Sequence, residues 1–473
     1  MHFFYNGISY LPQYEASEYL EHIEINGKHV LINKENGGWA QVTEEELIYL
    51  LNPGKTLPEE LGEKAYRAGL AKRNDGYIFE TYKVKHSPEV IYFFEFDLAN
   101  ECNLNCIYCS NETIPDSIRK VSKDIGRLWI DRVYEYVRNI KLPCVTLEFT
   151  GGEPLANVDV IYDICEYSTV VFKKLNITPK FLLSSNLTVL GDEQIRLFKD
   201  FDIDLQISLD GPEEIQNRQR PFPSGKGSYD VVIKNIEKLR KEGIACDTIS
   251  SVITSESVKY LPEIAQFILD LGFRHMTLQP MAATGRGAEV LELLPDPEEY
   301  VFYLMKVMRE VLLPEWLKNH EHMHVRHLGL GFAYLLEPWR NYMCQRCPCG
   351  CSSTIISTKA NGDVYGCNTA PYTEETLLGN IIELSFEECV NSENAKIFQE
   401  RDIIKIEECR DCVFRSYCQG GCPKSALSLH GDIHTPGDIC ELNKYLFTSC
   451  LEAMLDESIP YGFIKSFANS FIR

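Results

Sequence analysis

The eighteen cysteines of this 473-residue chain are gathered into a few short stretches. Three lie at 102–109, four at 344–351 and four at 409–422, whereas only Cys144, Cys165 and Cys246 fall between the first two groups. Disulfides do not persist in a reducing cytosol. Runs at CxxC-type spacing instead suit metal or iron–sulfur ligation. Whatever the fold, it must carry several loops to inorganic sites.

The remaining composition is ordinary for a soluble globular protein, with 44% hydrophobic and 25% charged residues. The length exceeds one core and implies about two to four domains. No apolar run reaches the ~18–20 residues of a membrane span. The opening MHFFYNGISYLPQYEASEYLE lacks the basic start and apolar core of a secretion signal. The expectation is a cytoplasmic protein without a membrane partner. A net charge of −22 repels a phosphate backbone, so nucleic acid is not an expected partner either.

Residues 1–85 read as a separate winged-helix-like domain. HIEINGKHVLINKENGGWAQVT predicts strands joined by turns at Asn26-Gly27 and Asn36-Gly37. Thr43 is placed to cap a helix with Glu46 as its box partner. A second helix is predicted over LPEELGEKAYRAGLAKR, residues 57–73. From 86 to 285, β-rich runs (VIYFFEFDL, VTLEFT, KFLLSSN, IDLQISLD, DTISSVIT, HMTLQP) alternate with helix-period segments such as YDVVIKNIEKLRKEG. Repeated βα units build a parallel sheet or barrel. Six such strands predict an α/β fold with a partial (β/α)6 barrel. Residues 286–342 read as a helical bridge, 343–455 as a loop-rich cysteine domain and 456–473 as a tail without a motif.

Residues singled out by type fall at one place in this scheme. Cys102 follows the first strand, and Gly151-Gly152-Glu153-Pro154 follows the second. Ser185-Asn186 ends the third strand, and Ser208 and Asp210 end the fourth. The carboxyl ends of barrel strands carry active sites. Cys102, Cys106 and Cys109 form CxxxCxxC. Three thiolates on a cubane of four irons leave one iron open, and an open iron can bind the amino and carboxylate groups of S-adenosylmethionine (SAM). Electron transfer then breaks a carbon–sulfur bond and gives a 5′-deoxyadenosyl radical able to take hydrogen from an unactivated carbon. The cofactors carry this chemistry and the protein places them. A bare CxxxCxxC also suits a zinc site or unrelated core cysteines. The loop after a strand, the aromatic Tyr108 and the GGEP downstream favour the cubane.

Over residues 88–282 this arrangement resembles the radical SAM superfamily. The resemblance implies that Tyr108, before the last cysteine, contacts adenine. It also implies that Thr150, Gly151, Gly152 and Glu153 meet the methionine amino group. Glycine lets backbone approach a ligand, and a carboxylate or carbonyl accepts from an ammonium, although GGEP can also be a plain turn. In the peptide-modifying branch, a serine near the end of the fourth strand and a following arginine touch SAM. Ser208 and Arg220, twelve residues apart, match; the plainer readings are a strand-end cap and a solvated loop charge. Ser185 and Asn186 occupy a comparable strand end.

Cys349-x12-Gly362-x4-Cys367, then Cys409-x2-Cys412-x5-Cys418-x3-Cys422 and a late Cys440, resemble a SPASM domain with two auxiliary [4Fe–4S] clusters. A zinc ribbon from Cys409, Cys412, Cys418 and Cys422 is the rival reading. The resemblance implies a distal cluster on Cys409, Cys412, Cys418 and Cys440. It implies a proximal cluster on Cys367 and Cys422, completed from Cys344, Cys347, Cys349 and Cys351. Those four offer more thiolates than one cluster takes, so the choice among them stays open, as does an open iron. Cys144, Cys165, Cys246 and Cys389 read as buried small hydrophobes.

A radical SAM barrel followed by a SPASM domain resembles the maturases of ribosomally made peptides, in particular the thioether-forming sactipeptide and ranthipeptide maturases. The N-terminal domain is similar to a recognition domain that takes a precursor's leader as an added strand. The expected partners are such a precursor peptide and an electron donor such as flavodoxin or ferredoxin. The anaerobic sulfatase-maturating enzymes share the barrel and SPASM domain, but there an aspartate directly after the cysteine equivalent to Cys367 acts as a base. This chain has Asn368, whose amide cannot take up that proton. Other radical peptide modifications (carbon–carbon cross-links, epimerisation) are alternatives. So is a degenerate iron–sulfur binding module, which the intact cysteine triad and GGEP disfavour.

Overall fold

The computed structural model describes residues 4–5, 8–9, 13–52, 56–73, 76–78, 90–99, 101–111, 120–338, 342–369 and 371–470. The expected domain boundary at 85–86 lies outside them. Strands β1 (Phe4–Tyr5) and β2 (Ile8–Ser9) pair with each other, and β3 (Tyr14–Ala16) pairs with a later strand. Strands β4 (Leu20–Ile25), β5 (Lys28–Asn33) and β6 (Trp39–Val42) form an antiparallel meander. Asn26 and Gly27 turn the first hairpin with positive φ of 51° and 74°, as a two-residue loop requires. Thr43 caps α1 (Glu44–Leu50) and Glu46 reciprocates, as predicted.

The second helix is shorter than predicted, because α2 covers only Glu59–Arg67. Gly69 turns left-handed at φ 76°, and the Leu70 amide donates to Ala65 O at 2.8 Å. A glycine in that position ends helices. The chain then leaves as β7 (Ala71–Arg73), antiparallel to β3. This N-terminal unit docks through directed polar contacts. Trp39 Nε1 donates to Leu335 O at 2.8 Å, Tyr417 Oη donates to Gly37 O at 2.7 Å, and Glu35 pairs with Arg415 in a buried ion pair.

The six predicted barrel strands are all present, parallel and in sequence order. They are β8 (Phe93–Asp97), β9 (Thr146–Thr150), β10 (Lys180–Ser185), β11 (Ile203–Ser208), β12 (Thr248–Ile253) and β13 (His275–Pro280). Helices α3 (Lys123–Ile140), α4 (Val158–Phe172), α5 (Asp192–Asp200), α6 (Glu213–Gln219), α7 (Tyr229–Lys241) and α8 (Leu261–Asp270) return the chain. Alternation along each strand sorts the side chains. Phe94, Phe96, Leu147, Phe149 and Ile207 enter the main apolar core, where Phe96 stacks on Trp129 of α3 at 4.7 Å. The intervening Glu95, Asp97, Glu148, Ser184 and Ser208 are on the opposite, lumenal face.

The sheet continues beyond these six strands. The bridge was read as helical and does supply α9 (Pro297–Lys306), α10 (Leu313–Asn319) and α11 (Arg326–Leu336). It also adds β14 (His324–Val325) beside β13. The C-terminal domain adds β15 (Ile355–Thr358) parallel to β8, then antiparallel β16 (Asp363–Tyr365) and β17 (Leu377–Asn380), for ten strands in one sheet. The cysteine-rich domain is therefore an extension of the barrel wall. Strands this short carry too little alternation to be read in advance. Cys165, Cys246 and Cys389 are buried as expected, but Cys144 is exposed just ahead of β9 and is not a core residue. Among the described residues, no helix is long and apolar enough to cross a membrane.

Candidate active site

Three rim loops converge where β8, β9 and β10 end. A Cβ on Gly152 would meet Glu101 O at 2.1 Å and Cys102 N at 2.8 Å, and one on Gly151 would meet Ala99 O at 2.6 Å. The Gly152 amide donates to Ala99 O at 2.7 Å. Only glycine permits this approach, so the GGEP segment braces the start of the cysteine loop and is more than a plain turn. Glu153 is buried with both oxygens engaged. Ser185 Oγ and Leu155 N donate to Oε1 at 2.7 and 3.0 Å, and Asn186 N donates to Oε2 at 2.8 Å. Burial pushes this carboxyl up to about 7, opposed by the same three donors. Glu153 thereby ties the second rim loop to the third. Asn186 Nδ2 reaches on to Cys102 Sγ at 3.6 Å and Asn103 Oδ1 at 3.0 Å.

The other side of the cysteine loop is held from the end of β11. Asn105 N and Ile107 N donate to Pro221 O and Gln219 O at 2.8 and 3.1 Å. Asp210, fully buried, accepts from Tyr108 Oη (2.5 Å), Gln219 Nε2 (2.7 Å), Arg220 Nε (2.9 Å) and Val252 N (3.0 Å). The Arg220 guanidinium stands 5.4 Å from the Tyr108 ring centre, and its Nη1 lies 4.0 Å from Cys106 Sγ. Arg220 is thus no solvated loop charge. It is a buried cation between a carboxylate and a cradle thiol. Thr150 Oγ1 donates to Asp97 Oδ1 at 2.5 Å, and Asp97 Oδ2 takes Lys359 Nζ of the C-terminal domain at 2.5 Å. Ser208 ends β11 half-buried.

Arg286 carries no mark in the sequence. It lies in the loop after β13, hydrogen-bonds Cys109 and reaches Asn105 Oδ1 at 3.4 Å. Its Nε is buried without a partner among the described residues. The one available signal was its position just past the last barrel strand. Burial raises the Cys102 thiol and pushes Cys106 up to about 12. These thiols keep their protons until a metal centre stabilises the thiolates.

In the C-terminal domain the thiols separate into two groups. Cys409, Cys412, Cys418 and Cys440 line one small pocket together with Phe414 and Asn443. Asn443 Nδ2 donates to Cys418 Sγ at 3.2 Å. Cys351 hydrogen-bonds both Cys349 and Cys367, and Cys344 and Cys422 are near enough to both to feel their charge. The bond with Cys351, helped by the Lys424 ammonium, lowers the Cys367 thiol to about 6 despite burial. Cys347, also placed among the candidate ligands by the sequence, donates its thiol to Arg401 O at 3.4 Å, packs on Ile403 and Ile406 and is near enough to Cys349 to feel its charge. Arg401 was also unmarked. Its guanidinium donates to the carbonyls of Ile433 (2.6 Å), Gly421 (2.7 Å), Gly420 (3.1 Å) and Thr435 (2.9 Å), all in the loops that carry the thiols.

Residues 97–268 match the radical SAM superfamily, and residues 340–413 match SPASM, an iron-sulfur cluster-binding domain. The chain carries a radical SAM domain followed by a SPASM domain. It is 24% identical over 335 residues to the cysteine-type anaerobic sulfatase-maturating enzyme of Clostridium novyi, covering 69% of this chain and 86% of that one. It superposes on native anSMEcpe with bound AdoMet at a TM-score of 0.66, with 19% identity over 80% of this chain and 100% of that one. It superposes on Streptococcus suis SuiB bound to the precursor peptide SuiA at 0.54, with 15% identity over 90% and 99%. These two likenesses show a shared fold.

Radical SAM and SPASM domains take [4Fe–4S] clusters and SAM as cofactors. The residues present fit them. Cys102, Cys106 and Cys109 come from one braced loop with Arg220 and Arg286 beside two of the thiols. Four further thiols surround one cavity, and five more lie together beside the barrel. When bound, the cofactors supply a carbon radical that removes hydrogen from unactivated carbon. The work of the protein is to hold the thiols, keep the Asp210–Arg220 pair dry and seat the substrate.

Proposed function

We propose that this radical SAM protein is a maturase that oxidatively modifies a peptide or protein held in the barrel lumen, and that its reaction is formation of a cysteine thioether. The observation that carries this reading is the lumen itself. Between the cradle and the Cys344–Cys367 group, the inner wall presents the half-buried polar side chains of Ser184, Gln206, Ser208 and Ser250 in place of a packed apolar filling. An extended peptide finds donors and acceptors along such a wall.

The relatives support a peptide or protein substrate, since one is named a sulfatase-maturating enzyme and the SuiB structure holds a precursor peptide. The N-terminal domain supports delivery by a leader. Its β4–β5–β6 sheet ends in β4 and β6, and β4 exposes His22 and Glu24, so a leader strand can add to an edge. A ferredoxin- or flavodoxin-type protein supplies the electrons. Sulfatase maturation is the second reading, favoured by the Clostridium novyi relative.

Anaerobic co-expression with each small cysteine-containing peptide encoded beside the gene tests the proposal by mass spectrometry. The expected product is lighter by two hydrogens per cross-link, and the bonded cysteine resists alkylation. A hydrazine-reactive aldehyde on a sulfatase-type peptide would establish the second reading instead. No mass change on any of these peptides would sink the thioether reading.

A further inference from the structure

Glu95 on β8 and Glu148 on β9 are register partners on adjacent parallel strands, so their carboxyls lie side by side on the lumenal face. Two carboxylates placed this way share a proton in preference to ionising together. Glu95 is buried, and its Oε2 accepts from the Asn368 amide at 2.9 Å. Glu148 is half-buried, less enclosed than Glu95, and its carboxyl lies within reach of Glu95 and Ser184. Burial raises both carboxyls, Glu148 to about 7. The other charged or titratable groups facing the pair are Asp97 and Lys359, already paired at 2.5 Å, the Arg326 guanidinium, and the thiols of Cys344 and Cys367.

The position of the pair is as telling as its chemistry. Two residues farther along the same strands stand Asp97 and Thr150, register partners at the loop that braces the cradle. Two strand residues span about 7 Å. On the opposite side Asn368 directly follows Cys367 of the auxiliary group. The pair therefore lies in the lumen between the two thiol-bearing regions.

We propose that Glu95 and Glu148 are a catalytic carboxyl pair that takes up the proton released as the peptide is oxidised, with Glu148 the member that touches substrate. This rests on the peptide-maturase reading. Closing a thioether removes two hydrogens from a thiol and a C–H bond. The hydrogen on carbon leaves as an atom to the SAM-derived carbon. The thiol hydrogen leaves as a proton to the monoanionic pair, which becomes neutral. The remaining electron leaves to an auxiliary iron–sulfur cluster as the carbon–sulfur bond closes.

The test compares Glu148→Gln, Glu148→Asp and Glu95→Gln in the reconstituted holoenzyme with the co-expressed cysteine peptide. Each variant is first checked for full iron content and SAM binding. Glu148→Gln is expected to lower the yield of cross-linked peptide by about a hundredfold, the scale of a lost general base. It should also raise the 5′-deoxyadenosine released per cross-link, and Glu148→Asp should restore part of the yield. Infrared difference spectra of the peptide-free holoenzyme should show a protonated carboxyl band that both glutamine variants remove or shift. Cross-linking by Glu148→Gln at the wild-type yield, or no such band in the wild type, overturns the proposal. A wild-type enzyme that modifies no peptide overturns the maturase reading instead, and the band still decides whether the pair shares a proton.

Discussion

The cysteine cradle and the auxiliary thiol groups meet one requirement by opposite means. The cradle draws three thiols from eight consecutive residues, and the fold presses that loop between a glycine pair and the buried Arg220. The auxiliary groups draw thiols from positions spread between 344 and 440, and Arg401 joins their loops through four carbonyls. One site is fixed by local sequence, the other by tertiary packing. They should therefore break independently.

Removing a ligand gives the largest effect. Cys106→Ser should take SAM cleavage to background while the sample loses only one cluster's iron, as read by iron and sulfide analysis beside 5′-deoxyadenosine release. Loss of all iron would show that the auxiliary groups need the cradle. The converse is Arg401→Met, which takes the side-chain donor from the carbonyls of Ile433, Gly421 and Thr435, while Gly420 O keeps the Gly437 amide; a buried carbonyl left unpaired costs about 1–3 kcal/mol. Auxiliary iron should be lost while the paramagnetic signal of the reduced cradle cluster still shifts on adding SAM. A silent cradle in that variant would join the two regions into one cooperative unit.

The contrast also explains what the sequence made legible. Motifs with fixed spacing within one loop, CxxxCxxC and GGEP, were readable because short chain length already constrains where the thiols go. The six barrel strands were readable from alternation. Arg401, Asp97, Lys359 and Arg286 were not, because each acts on partners distant in sequence and no local pattern marks such a charge before its partners are known. The same holds for β14 and β15, two short strands that close onto the barrel only in three dimensions. The choice among Cys344, Cys347, Cys349 and Cys351 also lay beyond spacing. Folding brings these thiols near one another, and Cys347 also donates to Arg401 O.

A smaller effect sharpens the local side of the comparison. Gly152→Ala puts a methyl group where Glu101 O would stand 2.1 Å away, and neither backbone can yield without moving the cysteine loop. The cost is about 2 kcal/mol. Chemical denaturation should show it as a lower midpoint. SAM should bind about tenfold more weakly, because 1.4 kcal/mol of displaced loop suffices for that. Unchanged affinity would mean that the brace serves stability alone.

The mildest change probes the tertiary side. Asn443 donates to Cys418 Sγ at 3.2 Å from the helix Cys440–Leu455. A donor to sulfur stabilises the more negative, reduced state of a cluster. Asn443→Ala should therefore leave iron content intact, cost about 1 kcal/mol of stability and lower the reduction potential of that one cluster, read by potentiometric titration. Because the cavity around these four thiols is shaped by loops that Arg401 holds, the loss of a single donor should not open it. If iron is lost with Asn443 alone, the distal thiols depend on one local contact, and the division between a locally fixed cradle and a tertiary auxiliary site fails at that point.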